Sequence, residues 1–375
     1  MALRGIKIIE MMGLAPGPLC GTILADFGAT VTVIQPSPLD VMSNGKQMLS
    51  VDLKSKEGVD IIKKLCASSD VLIDTYRPGV MEKLGLGPDL LLKENSRLIY
   101  ARLTGYGQTG PYESKAGHDI NYVAMSGVLS TLIRKGQQPH PPANLLADFG
   151  GGSFMCALGI LLALFHRSQS GHGQIVDSSM TEGAAYLATW LYKSRHLPIW
   201  SGEPGTNALD GGFPCYGMYK TKDGKFMAVG ALEPQFYTNF LNVLKLSEDE
   251  YPQVSDEERR RSAFEKIFLT KTQQEWSQLF ENADACVTPV LELDSVDQHK
   301  LHVSRGSFYR DSENILVPEP APRLSVTPGV STGQQKLPAP GQHTVQILRE
   351  LGYDQSNIED LISKGIVYAA EKSKL

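Results

Sequence analysis

The first half of the chain alternates short β-branched or apolar segments with amphipathic ones, and this alternation constrains the fold more than any other feature. Two helix-like segments are "LCGTILADFGA" and "SKEGVDIIKKLCASSD", the second behind a serine that can cap a helix. The strand-like segments around them are "IKIIEMM", "TVTVI", "LSVDL", "VLIDTY" and "LIYARLTGYG". This β-α-β-α order predicts an α/β fold with a doubly wound, largely parallel, Rossmann-like sheet.

Ligands of such sheets bind beyond the carboxyl ends of the strands, so the turns after the predicted strands are the candidate binding segments. No turn carries G-x-G-x-x-G or G-x-x-x-x-G-K-[ST], and "GLAPGP" places prolines where a dinucleotide loop needs free backbone amides. The sequence therefore disfavours a nicotinamide or P-loop site. The turns in question follow Met12, Ile34, Leu53, Tyr76 and Tyr106.

The rest of the chain predicts a second, smaller α+β domain. From His118 to about His196 the pattern is helical with little break, and a later hairpin has Asp223-Gly224 at its turn. Two linkers around a middle domain imply that the C-terminal helices pack back onto the first domain, and a chain threaded in this way could embrace a partner chain as an interlocked dimer. The predicted division is a large domain of 1–196 plus about 330–375, a linker 197–214, a small domain 215–310 and a return linker 311–340.

Composition excludes several classes of protein. The net charge of −5 gives no global attraction to nucleic acid or an anionic membrane. Five scattered cysteines without C-x-x-C spacing indicate reduced thiols rather than a structural zinc site, and H-x-x-H at His299 and His302 is a weak metal signal. No run of about 20 apolar residues suggests a membrane span; the longest, "CALGILLALF", predicts a buried helix.

The last three residues, Ser373-Lys374-Leu375, match a receptor-read peroxisomal address. We therefore expect a peroxisomal protein that binds an import receptor through this tripeptide. The sequence leaves the extent of a mitochondrial fraction open.

Three ionisable residues lie in unusual surroundings, although each has a structural explanation. His118, in "GHDINY", could be an exposed loop residue with Asp119 as helix cap; Asp148 could cap the next helix. Glu233 directly precedes Pro234 at the start of a predicted helix. Three consecutive glycines, 150–152, are harder to explain, because glycine is costly in a helix and usually marks the close approach of a backbone or ligand. They favour Asp148 as part of a pocket wall.

Several longer motifs, in order along essentially the whole chain, resemble those of the α-methylacyl-CoA racemases of the class III CoA-transferase family. The motifs are "GLAPGP", "ADFGA", "VDLK", "YRPGVMEKLGLGP", "LTGYGQTGP", "GHDINY", "NLLADFGGGS", "EPQF" and "DACVTPVL".

The resemblance implies roles for particular residues. His118 and Asp148 are expected to be the two acid/base groups, and the N–H of Asp119 is expected to hold the thioester oxygen. Glu233 is expected to hydrogen-bond the histidine from the neighbouring subunit of a homodimer. Neither a metal nor a redox cofactor is expected, since CoA belongs to the substrate.

The resemblance also implies a set of residues that bind the CoA part of the substrate. One departure concerns the arginines that relatives carry in an "R-P" pair and in "GKR", where this chain has Gln35 and Gln47. A loss of positive charge there weakens the expected hold on phosphate. The expected CoA-binding residues are Val51, Asp52, Leu53, Lys54, Thr75, Tyr76, Arg77, Lys83, Gly117, Ile120, Asn121 and Tyr122.

The resemblance therefore predicts an enzyme that interconverts (R)- and (S)-2-methylacyl-CoA thioesters, serving the breakdown of branched fatty acids and bile-acid precursors. Two alternatives stay open at this point. One is CoA transfer with Asp148 as nucleophile. The other is a weakened relative that only binds acyl-CoA, which the replaced arginines motivate.

Overall fold

The computed structural model describes residues 1–35, 40–254 and 256–370 and divides into two compact units. The first unit contains Met1–Ser126, Pro142–Ala188 and the C-terminal part from Lys300; the second contains Gly127–Pro141 and Thr189–His299. The short segment Gly127–Pro141 thus groups with the second unit, whereas the predicted division kept it in the large domain. Residues 300–310 group with the first unit rather than with the small domain.

Fourteen α-helices and twelve strands lie within the described ranges. The helices are α1 Pro16–Asp26, α2 Lys56–Ala67, α3 Val80–Lys83, α4 Pro88–Glu94, α5 Asp119–Met125, α6 Met155–Ser170, α7 Met180–Leu187, α8 Thr189–Ser194, α9 Pro234–Leu244, α10 Glu257–Phe268, α11 Gln273–Phe280, α12 Lys300–Arg305, α13 Thr344–Glu350 and α14 Gln355–Ser363. The strands are β1 Lys7–Met11, β2 Thr30–Ile34, β3 Gln47–Val51, β4 Val71–Asp74, β5 Ile99–Thr104, β6 Ile175–Ser179, β7 Tyr216–Lys220, β8 Phe226–Gly230, β9 Val287–Pro289, β10 Phe308–Arg310, β11 Leu316–Pro318 and β12 Val367–Tyr368.

The first unit is built on a seven-stranded sheet in the order β12-β3-β2-β1-β4-β5-β6, in which every pair is parallel except β12–β3. The order reverses at β1 and β4, as in doubly wound folds, which confirms the predicted fold class. The predicted unbroken helical region after His118 is wrong at β6. This strand pairs with β5 from Tyr100↔Ile175 to Thr104↔Ser179 and completes the sheet.

The C-terminal segment contributes to the core of the first unit. Ile347 and Leu348 from α13 and Ile358 from α14 are buried in the same apolar cluster as the central strands. The strand β12 then pairs antiparallel with β3 through Val367↔Val51. Burial of these side chains stabilises the return of the chain, at about 1.5–3 kcal/mol for each fully buried aliphatic residue.

The second unit contains the antiparallel sheet β7-β8-β9. The predicted hairpin is present, with Gly224 at the turn in the left-handed region (φ +80°). Helices α9 to α11 cover one face of the sheet, where the rings of Tyr219, Phe240, Phe264 and Phe268 pack against one another. This aromatic cluster is the core of the second unit.

Helix α6 is not the buried helix that its composition predicts. Cys156, Ile160 and Ala163 face the interior, but Leu162 is 60% exposed and Phe165 is 66% exposed. By length and composition alone, the continuous helical segment Leu145–Ser170 would suffice to cross a membrane, although the sequence contains no run of about 20 apolar residues. One such helix is weak support for a span, because core helices of soluble proteins have the same character.

Candidate active site

A cavity of about 230 Å³ lies in the first unit beyond the carboxyl ends of β1, β4 and β5. Three of the five turns singled out from the sequence reach it, those that follow β1, β4 and β5, whereas the turns after β2 and β3 do not contribute to its lining. The lining residues are Leu14, Pro16, Gly17, Thr75, Arg77, Pro78, Leu103, Thr104, Gly105, Tyr106, Glu113, Lys115, Ala116, Gly117, His118, Tyr122, Asp148 and Met180.

His118 lines this cavity as the N-cap residue of α5. Its backbone is extended, and its N–H donates to Asn121 Oδ1 at 3.1 Å, so the start of the helix fixes the histidine backbone. Asp119 is therefore the first helical residue rather than the cap. Its own N–H belongs to the first turn, where helix geometry leaves the amide without an intrahelical acceptor.

Asp148 lies inside a π-helix, Leu145–Phe154, that runs directly into α6, and it is not a helix cap. π-helical turns are rare and are frequent at functional sites. Asp148 Oδ2 accepts a hydrogen bond from Asn144 Nδ2 at 3.2 Å, and the half-buried carboxyl group lines the same cavity as His118. The two groups thus share one cavity although 30 positions separate them.

The three glycines after Asp148 are explained by the close approach of α7. A Cβ on Gly151 would lie 2.4 Å from the Ala184 nitrogen, and a Cβ on Gly183 would lie 1.9 Å from the Gly151 oxygen. Side chains at Gly150 and Gly152 would meet Leu187 and Met180. Backbone packing, rather than a ligand, therefore requires the glycines, and this packing fixes the position of Asp148.

Asp119 connects the two elements that carry His118 and Asp148. Its Oδ1 accepts hydrogen bonds from the backbone N–H of Ala147 at 2.7 Å and of Asp148 at 2.8 Å, and the residue is 4% exposed. Bonds to a buried charged group are worth about 1.5–3 kcal/mol each. Sequence reasoning assigned only the amide of Asp119; its carboxylate holds the π-helix against α5.

The surroundings of Asp148 shift its pKa upward. Burial raises the pKa of Asp148, and the neighbouring charge of Asp119 raises it further, while the bond from Asn144 and the charge of His118 oppose the rise. Burial is also the main cause that raises the pKa of Tyr122 to about 12. A carboxyl group with a raised pKa is better suited to both accept and donate a proton.

The predicted CoA-binding residues separate into two sets. Thr75, Arg77, Gly117 and Tyr122 line the cavity. The remaining residues lie outside its lining. Val51 and Leu53 belong to the apolar core, and Tyr76 packs against it, while the N–H of Asp52 donates to the Ile366 oxygen in the C-terminal segment. The exposed residues of this set are Lys54, Lys83, Ile120 and Asn121.

The two glutamines that replace expected arginines are engaged within the sheet. The Gln35 side-chain amide donates to the Val51 oxygen, and Gln47 Oε1 accepts from Thr32 Oγ1 at 3.1 Å. The side chain of Lys46, directly before Gln47, is fully buried, and its Nζ forms an ion pair with Glu10 Oε2 at 2.8 Å. None of these three side chains lines the cavity. Pro36, the other member of the predicted pair, lies outside the described residues.

Glu233 belongs to the second unit, as the N-cap residue of α9, with Pro234 in the first helical position. The structural explanation derived from the sequence is therefore correct for its backbone. Its side chain is exposed in the single chain. Burial raises the pKa of Cys286, and the charge of Glu233 raises it further.

Sequence reasoning missed several lining residues, among them Tyr106, Glu113 and Lys115. Tyr106 packs edge-on against Tyr122 with ring centroids 5.1 Å apart. Tyr106 lies just after β5, and Glu113 and Lys115 lie just before "GHDINY". These positions were the available signal. Lys115 supplies a cation in the cavity that the predicted set did not contain.

The chain matches CoA-transferase family III over residues 3–344. The chain belongs to this family. It is 50% identical to the mouse α-methylacyl-CoA racemase over 373 residues and 49% identical to the human one over 374 residues, each covering 98% of both proteins. A succinyl-CoA–L-malate CoA-transferase β subunit of Chloroflexus aurantiacus is 31% identical over 413 residues, which cover 98% of each protein.

Two solved structures share the fold. A CAIB/BAIF family protein from Brucella suis superposes with a TM-score of 0.78 at 21% identity, covering 93% of this chain and 98% of that one. A hypothetical protein from Mycobacterium tuberculosis gives a TM-score of 0.74 at 25% identity, covering 92% and 98%. The architecture is therefore that of CoA-transferase family III.

Proposed function

We propose that the protein is an α-methylacyl-CoA racemase that interconverts the (R)- and (S)-forms of 2-methylacyl-CoA thioesters. One observation carries the proposal: an imidazole, His118, and a carboxyl group with a raised pKa, Asp148, line the same cavity. The identity of about 50% with the mouse and human racemases over nearly the whole chain supports the same activity.

Inversion of the carbon next to a thioester needs one group to remove its proton and another to return a proton to the opposite face. In one direction Asp148 takes the proton and protonated His118 delivers one; in the other direction neutral His118 takes it and protonated Asp148 delivers it. Between the two transfers the substrate is a planar enolate. These steps move only protons, so the proposal needs neither a metal nor a redox cofactor.

Negative charge develops on the thioester oxygen as the proton leaves. The N–H of Asp119, adjacent to His118 and without an intrahelical acceptor, is the proposed donor to this oxygen. The exposed Arg77 and Lys115 place positive charge in the same cavity and are suited to the anionic part of an acyl-CoA. Lys54 and Lys83 remain proposed phosphate contacts outside the cavity lining.

We also propose that the enzyme is a homodimer in which Glu233 of the second copy hydrogen-bonds His118. Such a bond would select the imidazole tautomer and favour the protonated ring. An apolar face of α6 and the preceding turn supports a partner, because large exposed apolar surfaces usually mark contact sites. The residues of this face, 41–66% exposed, are Phe154, Leu158, Leu161, Leu162 and Phe165.

The metabolic setting is likewise proposed from the sequence. A terminal Ser373-Lys374-Leu375 would direct the enzyme to peroxisomes through the import receptor; these residues lie outside the described part of the structure. There it would convert branched fatty acids and bile-acid precursors into the isomer required by β-oxidation.

CoA transfer and binding without turnover are not favoured. The relatives named for transfer to a particular acid, such as L-malate or (R)-2-hydroxy-4-methylpentanoate, are 29–31% identical, whereas the mouse and human racemases are 50% and 49% identical. In addition, transfer through Asp148 as nucleophile needs no imidazole in the cavity. Proton transfer to both faces needs a second acid/base group, which His118 supplies.

The deciding experiment follows α-proton exchange in heavy water with (R)- and (S)-2-methylacyl-CoA. The wild type should exchange the α-proton of both enantiomers and interconvert them. His118→Ala and Asp148→Ala should each lose about 10²–10⁴-fold in rate, each more severely with a different enantiomer. No exchange by the wild type with any branched substrate would refute the proposal. Trapping of an Asp148 acyl adduct by hydroxylamine would instead indicate CoA transfer.

A further inference from the structure

A second cavity, of about 530 Å³, lies entirely within the second unit. It opens against the sheet β7-β8-β9 and the loop around Gly211, and it contains neither of the proposed acid/base groups. Cavities of about 300–1,000 Å³ are typical of small-molecule sites. This one is large enough for a ligand with an extended apolar portion.

The floor of this cavity is a trough along the central strand. Alternate residues of β8, Phe226, Ala228 and Gly230, face away from the aromatic core. Of these, the small residues Ala228 and Gly230 line the cavity. The flanking strands place larger side chains beside them, since Ala228 pairs with Met218 on one side and with Thr288 on the other. Tyr216 stands opposite Gly230. Small residues between larger ones leave an elongated, mostly apolar groove.

Two guanidinium groups, those of Arg134 and Arg261, line one part of the cavity. Arg261 Nη2 donates to the main-chain oxygens of Gly211 and Gly212, each at 2.8 Å. Arg134 Nη1 donates to the main-chain oxygen of Asp210 at 3.3 Å. Within the described ranges neither arginine forms an ion pair. Each therefore keeps donors and a full positive charge available.

The carboxylate that lines the same cavity is already engaged. Asp210 accepts from the N–H of Gly205, the N–H of Asn207 and the Asn207 side-chain amide. These bonds hold the loop and occupy the Asp210 oxygens, so that two positive charges and one engaged negative charge line the cavity. Charge complementarity therefore selects an anionic head group.

Cys286 lines another part of the cavity. Burial raises the pKa of the Cys286 thiol, and the negative charges of Glu233 and Asp284, which lie outside the cavity lining, raise it further. The Cys286 main-chain oxygen accepts from the Gly230 N–H. A negatively charged head group is thus disfavoured beside Cys286 and favoured beside the arginines. The apolar trough is left for an uncharged tail.

We propose that this cavity binds an amphiphilic carboxylate, such as the anion of a medium-chain fatty acid. The carboxylate accepts hydrogen bonds from Arg134 and Arg261, and the alkyl chain lies over Ala228 and Gly230. None of the residues that line this cavity is among the proposed racemase residues.

Cys286 provides a built-in reporter, because it is exposed while the other four cysteines are buried. The experiment measures the rate at which a bulky thiol reagent labels Cys286 in the full-length protein, with decanoate, decanol or decyltrimethylammonium added below their micellar concentrations. Decanoate should slow the labelling at least about fivefold at saturation, and the other two should not. Arg134→Met should raise the decanoate concentration required by about tenfold.

Two further variants separate binding from general effects. Arg259→Met is the matched control, since Arg259 is exposed on α10 and pairs with Glu250 away from the cavity lining. It should leave protection unchanged. Ala228→Leu should abolish protection by filling the trough from its outer face without touching the core.

Three results would overturn the proposal: no protection by decanoate, equal protection by decanol, or equal effects of Arg134→Met and Arg259→Met. No thioester is present in this assay. Failure of the racemase proposal would therefore leave its outcome unaffected.

Discussion

Neighbouring groups shift the pKa of Asp148 in opposite directions, and single substitutions can remove these groups one at a time. Asn144→Ala deletes the hydrogen bond that lowers the pKa of Asp148, so the pKa should rise. Asp119→Asn removes the charge that raises this pKa but keeps an oxygen for the two backbone N–H groups, so the pKa should fall. Asp148 must be ionised to act as the base, and its exchange rate declines as the pH drops through its pKa. The acidic limb of the profile of exchange rate against pH should therefore move to higher pH in Asn144→Ala and to lower pH in Asp119→Asn.

The measurement is kcat/KM for α-proton exchange against pH, with the enantiomer that Asp148→Ala affects more severely. The unmodified enzyme should already show its acidic limb above the ordinary aspartate value of 3.8, because burial raises the pKa of Asp148. A shift of both variants in the same direction would contradict the assigned electrostatics.

At the level of elements, the contact between the π-helix and α7 depends on the absence of side chains. Gly151→Ala would place a Cβ 2.4 Å from a backbone nitrogen, so the two elements must separate, at a cost of about 1–3 kcal/mol in the free energy of unfolding. Exchange activity should fall as well, since the displaced segment carries Asp148. Urea unfolding measures the first effect.

Gly230→Ala is the matched control for this substitution. Its added Cβ would have its nearest neighbour at 3.8 Å, and its φ is not in the left-handed region, so stability should change by less than about 0.5 kcal/mol. Equal destabilisation by the two substitutions would show that the backbone contact is not the cause.

The elements that sequence predicted well are those whose signal is local. β2 coincides with "TVTVI", and Ser55 caps α2 by accepting from the Gly58 N–H, as its position suggested. β6 escaped prediction because five residues between two helices carry little periodicity and become a strand only by pairing with β5. The bonding of the Asp119 carboxylate to the π-helix is tertiary, and no spacing in the sequence encodes it.

The exposed apolar face of α6 shows what the sequence leaves undecided at the scale of the whole molecule, namely which surfaces a partner covers. Apolar composition predicts burial but does not tell whether the chain itself or a partner covers the surface. We expect Leu162→Glu, which places a charge at a side chain that is 60% exposed on this face, to convert a homodimer into monomers and to reduce exchange activity. Light scattering coupled to size exclusion checks the mass. Leu293→Glu, at a side chain 88% exposed, should change neither property.

Subunit mixing decides whether Glu233 acts across the dimer. Separately, His118→Ala and Glu233→Ala homodimers should be inactive or strongly impaired. In a mixed dimer, the site with His118 intact receives Glu233 from the His118→Ala copy, so one site of the two is complete. Random reassociation of equal amounts should therefore restore about one quarter of the wild-type exchange rate. If Glu233 instead serves its own chain, both sites of the mixed dimer lack one group and no activity returns.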